Sequence, residues 1–247
     1  MPATALRPRS ATEIIDASFQ LLRHHYTQLV AVAVVALLPY IVVVAVAGGS
    51  AGDPSSAIIL LLAQFLCAAL AEAAVILAVS DAYLEGSVDI HRSLVATASR
   101  LPTIILAGIL RGLAAMIGFL LFIFPGVYVA LRTFAITAVV VLEGKSAADA
   151  MSRSWSLAKG EVGKVFVTLL LAWMIFLVLY VLLFMLVSLL AARNPRAVQL
   201  VVAILMALVY PITGVVTTIL YYDIRVRREG FDLELLAREG APAPSSA

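Results

Sequence analysis

Six apolar runs, each long enough to cross a lipid bilayer, leave this chain few folds to choose from. They lie near 28–47, 58–80, 102–124, 126–142, 165–190 and 198–221. A hydrocarbon core of about 30 Å asks a helix for about 20 apolar residues. Inside it every backbone N–H and C=O must be bonded within its own segment. The runs therefore predict an all-α, polytopic membrane bundle of six transmembrane helices. Composition agrees, since 63% of the 247 residues are hydrophobic and only 13% charged, against about 25% charged in a soluble domain. One membrane domain over 1–240 is expected, with a disordered tail over 241–247. The run ending at Ala45-Val46-Ala47 resembles a cleavable signal, but Glu13, Asp16 and the interrupting Pro39 favour a retained first span.

Orientation follows from the connections. Arg7, Arg9, Arg23, Arg92, Arg100, Lys145, Arg153, Lys159, Lys164, Arg225, Arg227, Arg228 and Arg238 fall on one side, and only Arg193 and Arg196 on the other. Basic residues stay on the cytoplasmic side, so both termini are expected there. Abundant Ala and Val with many Arg and few Lys suit a bacterial cytoplasmic (inner) membrane.

Enzymatic and cofactor chemistry find little support. The net charge of +2 gives no reason for nucleic-acid binding, and the single cysteine, Cys67, allows neither a disulfide frame nor a thiolate cluster. Gly144-Lys145-Ser146 lacks the earlier glycine of a phosphate loop. His24-His25 reads as a solvated pair rather than a metal site, and Asp81, Glu85 and Asp89 as a solvated acidic face. No nucleophile has a base beside it. The expectation is a non-enzymatic protein with no cofactor and no metal.

The charged connections have a pattern of their own. Ile15, Phe19, Leu22, Tyr26 and Leu29 recur at helical spacing behind a Ser10/Glu13 capping box. Ala148, Met151, Trp155, Ala158 and Val162 do so behind Ser146 and Asp149, and Leu94, Val95, Ala98 and Leu101 more weakly. Such stripes predict interfacial helices with the apolar face toward lipid. Each helix precedes two spans, and the units close on Glu85-Gly86, Glu143-Gly144 and Glu229-Gly230. A threefold internal repeat over about 10–86, 87–144 and 145–230 is one reading; amphipathic loops arising separately beside a membrane is the other.

Three ionisable residues fall inside spans: Glu72, Arg111 and Arg132. All lie about eight to ten residues from the charged end of their run, within one helical turn of about 5.4 Å. Small neighbours, among them Ala68, Ala69, Gly108, Gly112 and Ala115, suit close helix approach. An Arg at a helix centre costs about 2.5–3.5 kcal/mol on insertion scales, so a partner is expected. The first reading is a Glu–Arg contact that fixes helix packing. In it one anion holds two cations, so Glu72→Ala is expected to disturb the fold more than Arg132→Ala. The second reading gives the surplus positive charge to an anionic lipid head group.

From Phe124 onward, FPGVYVALRTFAITAVVVLEGKSAADAMSRSWSLAKGEVGKVF resembles the membrane domain attached to some bacterial glycerophosphodiester phosphodiesterases and its free-standing relatives. The close, TTILYYDIRVRREGFDLELLA, is similar to the end of those relatives. The matching residues are Pro125, Gly126, Arg132, Glu143, Gly144, Ala150, Ser154, Trp155, Gly160, Tyr222, Asp223, Arg225 and Gly230. The resemblance implies a multispan helical domain connected with glycerolipid or envelope metabolism. It does not bring the phosphodiesterase activity, which belongs to a separate barrel for which this chain has no room. The partners implied are membrane lipids, anionic ones included, and a second protein or a second copy of the chain. The alternatives to a lipid-interacting role are a small transporter or flippase-like carrier working through a midplane Glu/Arg cluster, and an assembly partner of another membrane enzyme.

Overall fold

The computed structural model describes residues 9–47, 54–191 and 195–230. Arg7, Arg193, Arg238 and the tail over 241–247 lie outside the described residues. The elements are helices α1 (Ala11–Ala47), α2 (Pro54–Leu84), α3 (Ile90–Ser99), α4 (Leu101–Leu121), α5 (Ile123–Arg132), α6 (Ile136–Leu142), α7 (Ala147–Leu157), α8 (Val162–Ala191), α9 (Pro195–Val209) and α10 (Pro211–Glu229). There is no strand among the described residues. Six segments are long and apolar enough to cross a membrane: Ala11–Val46, Ser55–Leu84, Leu101–Leu121, Ile123–Leu142, Val162–Leu189 and Ala197–Glu229.

Three of the six are not single helices. The first breaks at His25 (φ −115°, ψ 17°), where its amphipathic part meets its apolar part. The sixth divides at Tyr210, because Pro211 has no N–H to continue the ladder and sits naturally in a first turn. The fourth divides at Thr133-Phe134-Ala135 between α5 and α6, although no proline or glycine marks the place.

The amphipathic helices dock largely by small residues and leave bulky members of their apolar stripes exposed, where lipid would lie. In the first part of α1, Ile14 and Ser18 are buried with Leu22 and Leu29 of the stripe, while Phe19 and Tyr26 are exposed. In α3, Ser93 and Thr97 are buried and Val95 is exposed; in α7, Ala147, Ala150, Ser154 and Leu157 are buried and Ala148 and Trp155 are exposed. Small side chains let helix backbones approach, and large apolar ones lose nothing by facing lipid.

The helices share a charged end, where α1 and α8 begin and α2 and α10 finish, and a hairpin end, where α4 turns into α5. The core lies toward the charged end. Every residue from Ile136 to Val141 is buried, packed with Val75, Ile76 and Val79 of α2 and Val215, Ile219 and Leu220 of α10. The hairpin end is exposed from Leu120 to Phe124. There α4 and α5 cross so tightly that a Cβ on Gly118 would stand 2.8 Å from the Gly126 Cα.

The three Glu-Gly pairs share one local structure. Gly86, Gly144 and Gly230 have φ of 74°, 69° and 63°, the left-handed conformation that ends a helix. Beyond this cap the units differ, for the amphipathic part runs into the span in α1 and stands apart in α3 and α7. The repeat is not shown.

Candidate functional site

The spans bring two of the three intramembrane charges together. Arg111 Nη1 lies 3.8 Å from Glu72 Oε1, and both side chains keep about a third of their exposure, 36% and 34%. That separation is too long for a hydrogen bond. The small residues around the pair divide: Ala71, Ala73 and Ala74 are fully buried and Gly118 packs on Gly126, whereas Gly108 and Gly112 leave space. A Cβ on Gly112 would meet nothing within 4 Å, and one on Gly108 would meet only Phe65. Their missing volume opens a cavity of about 400 Å³ lined by Glu72, Arg111, Ala68, Ala69, Gly108, Gly112 and Ala115. A second cavity, of about 750 Å³, lies against the same pair and is walled by α5, α8 and α10. A third, of about 490 Å³, takes in Tyr40, Gln64, Tyr180 and Gln199. Tyr210, which donates to the Ala68 carbonyl at 2.9 Å, lines all three.

Arg132 is not part of that pair, which corrects the three-member network. It is 7% exposed, and its guanidinium carbon lies 4.7 Å from the Trp155 ring centroid and 5.5 Å from that of Tyr128. Both distances are within cation–π range. Among the described residues no carboxylate pairs with it, and its Nε is enclosed without a hydrogen bond. The side chain leaves α5 on the side facing α7 rather than toward Glu72. Glu72 therefore holds one cation rather than two, and the expected ranking of Glu72→Ala above Arg132→Ala loses its basis.

Directly after Arg132 the helix breaks, and Ser154 of α7 repairs it. Its hydroxyl donates to the Arg132 carbonyl at 3.0 Å and accepts from the Ala135 N–H at 3.1 Å. Neighbouring Arg153 ties the charged end together. Its Nε lies 3.2 and 3.1 Å from the two Glu143 oxygens, and its terminal nitrogens donate to Glu229 at 2.5 and 2.8 Å. The hydrogen bonds to Glu229 hold the Arg153 guanidinium further above its ordinary pKa. Tyr221 donates to Glu143 at 2.8 Å, and Arg225 to Glu229 at 3.2 Å.

A second knot forms around Asp223, whose side chain is 2% exposed. It accepts from the Arg9 N–H at 2.6 Å, from Arg227 Nε at 3.1 Å and from Lys164 Nζ. Tyr222 shares a 2.6 Å hydrogen bond with Ser80. Asp81, read as solvated, is 6% exposed and faces Arg92 at 3.8 Å, while Asp89 caps α3 through the Arg92 N–H.

Residues singled out by the resemblance thus divide by task. Glu143, Gly144, Ser154, Trp155, Tyr222, Asp223 and Arg225 build the charged end and the Arg132 cage, Pro125 and Gly126 form the hairpin, and Gly160 (φ 86°) turns the chain from α7 into α8. Arg9, Arg153 and Lys164 enter the sequence reading only as loop charges and Glu229 only as part of a closing Glu-Gly pair, and Tyr210 and Tyr221 do not enter it. Their partners are mostly more than fifty residues away, and no local pattern marks them.

The fold and its intramembrane charges define an integral, multi-pass membrane protein. The family model for the membrane domain of glycerophosphoryl diester phosphodiesterase matches residues 87–225, more than half of the chain, and the chain belongs to that family. No curated protein and no solved structure matches it. Arg111 and Arg132 lie inside the matched region and Glu72 lies before it.

Proposed function

We propose that this chain is a non-catalytic, lipid-interacting protein of the bacterial inner membrane, with its charged end in the cytoplasm and Arg132 receiving the phosphate of an anionic lipid. The observation that carries this reading is Arg132 itself, a guanidinium more than nine-tenths buried with no carboxylate partner. Trp155 and Tyr128, set edge to face against each other, lie beside the guanidinium at cation–π distance, and the in-plane N–H donors of an Arg suit a phosphate bidentately. The two rings are themselves partly exposed, as aromatic residues are where the hydrocarbon meets the head groups. Native mass spectrometry of protein released from phosphatidylglycerol-containing membranes tests the reading. Bound phosphatidylglycerol is expected on the native chain and strongly reduced on Arg132→Gln. Equal lipid occupancy in the two proteins overturns it.

A second reading, a small carrier, draws on a different observation, the cavities that meet at Glu72 and Arg111. Midplane polar sites between helices are where carriers hold their cargo.

A further inference from the structure

The Glu72–Arg111 pair differs from Arg132 in sign and in setting, and the difference specifies a second ligand. We infer that the cavity of about 750 Å³ beside this pair is a lateral entry site for a zwitterionic phospholipid with a primary ammonium group. Three observations carry the inference. First, the cavity is bordered by a sparsely buried span: Phe166, Leu170 and Trp173 of α8 line it and are exposed, in a helix long and apolar enough to cross the bilayer. An occupant therefore arrives from the bilayer rather than from water. Second, the ion pair is open, at 3.8 Å and about one-third exposed on each side, so donors on Arg111 and acceptors on Glu72 remain available to a third group. Third, the pair sums to zero charge. An anionic head group gains at Arg111 what it loses at Glu72. A zwitterion satisfies both, phosphate on Arg111 and ammonium on Glu72, and turns one loose pair into two closed ones.

The walls suit the remainder of such a molecule. Apolar side chains of α5 and α8 surround the space for an acyl chain, and the volume lies within the range of about 300–1,000 Å³ typical of ligand sites. The inference shares its cavity with the carrier reading but does not depend on the phosphate site at Arg132. The site deepens the carrier reading by naming the class of cargo.

The chain has two tryptophans, Trp155 and Trp173, one at each site, so a single experiment separates the two. Trp155→Phe leaves Trp173 as the reporter of the cavity, and Trp173→Phe leaves Trp155 as the reporter of Arg132. The proteins are reconstituted in phosphatidylcholine nanodiscs containing a low fraction of chain-brominated phosphatidylethanolamine, phosphatidylglycerol or diacylglycerol, and fluorescence quenching is measured. Trp173 is expected to be quenched by phosphatidylethanolamine with an apparent affinity about tenfold that for phosphatidylglycerol, the equivalent of one charge-assisted hydrogen bond. The preference is expected to vanish in Glu72→Gln/Arg111→Gln, which removes both charges together and leaves neither unpaired. Equal quenching by the two phospholipids, equal quenching by diacylglycerol, or a preference that survives the double substitution overturns the inference. Trp155 is expected to prefer phosphatidylglycerol, so failure at one site leaves the other standing. If Trp155→Phe does not fold, the difference between the native chain and Glu72→Gln/Arg111→Gln reads the same quantity.

Discussion

The two ends of this bundle are made of the same kinds of residue and built to opposite specifications. Toward the charged end the interior is filled and the polar groups are closed on one another: every residue from Ile136 to Val141 is buried, and Glu143, Arg153, Tyr221 and Glu229 form a continuous set of hydrogen bonds. Beyond it, toward the hairpin, cavities lie between α4, α5, α8 and α10, Leu120 to Phe124 are exposed, and the Glu72–Arg111 pair is loose. Closed polar networks fix one arrangement. Open ones leave donors and acceptors for something else. The comparison sets a closed polar network against an open ion pair.

Four substitutions break or sharpen that division. Asp223→Ala is expected to have the largest effect, because it removes the buried carboxylate shared by Lys164, Arg227 and the Arg9 N–H. Breaking a buried ion pair costs about 3–5 kcal/mol, and a loss of that size in thermal unfolding in detergent is the prediction. Ser154→Val removes both hydrogen bonds that mend the break after Arg132. At about 1–3 kcal/mol for each of the two buried groups left unsatisfied, a loss of about 2–6 kcal/mol is expected by the same measurement. Gly118→Ala tests the one tight crossing at the hairpin end, where the new Cβ meets backbone that cannot rotate away; overpacking of this kind costs about 1–3 kcal/mol. The double substitution Glu72→Gln/Arg111→Gln is expected to cost least, under about 1 kcal/mol, as for other half-exposed pairs, while changing lipid preference. A large stability loss from it would erase the contrast between the ends.

The sequence carried some of this more plainly than the rest. Span number and placement were legible because the hydrocarbon core imposes one length on every helix. The caps at Ser10/Glu13 and Ser146/Asp149 were legible because they are local, and both form as read. Depth was legible too, and it correctly brought Glu72 to the level of Arg111. Azimuth was not: a step of one residue turns a side chain by about 100°, enough to send Arg132 to Trp155 instead of Glu72. The exposed Val95 and Trp155 fit the lipid-facing stripes expected of α3 and α7, but the small residues by which those helices dock, Ser93, Thr97, Ala150 and Ser154, carry no such mark in the sequence. The break at Thr133–Ala135 left no sign because Ser154, which makes it tolerable, lies far along the chain.

That repair also sets an order of events during synthesis. Ser154 follows Arg132 by 22 residues, so the ribosome delivers the fourth span before the side chain that completes it. Until α7 arrives, the Arg132 carbonyl and Ala135 N–H need other partners, water or the i→i−4 bonds of an unbroken helix. The break between α5 and α6 is therefore expected to be fixed only once α7 docks. Truncating the chain before Ser154 is expected to leave a hairpin that inserts yet stays open to proteolysis between α5 and α6.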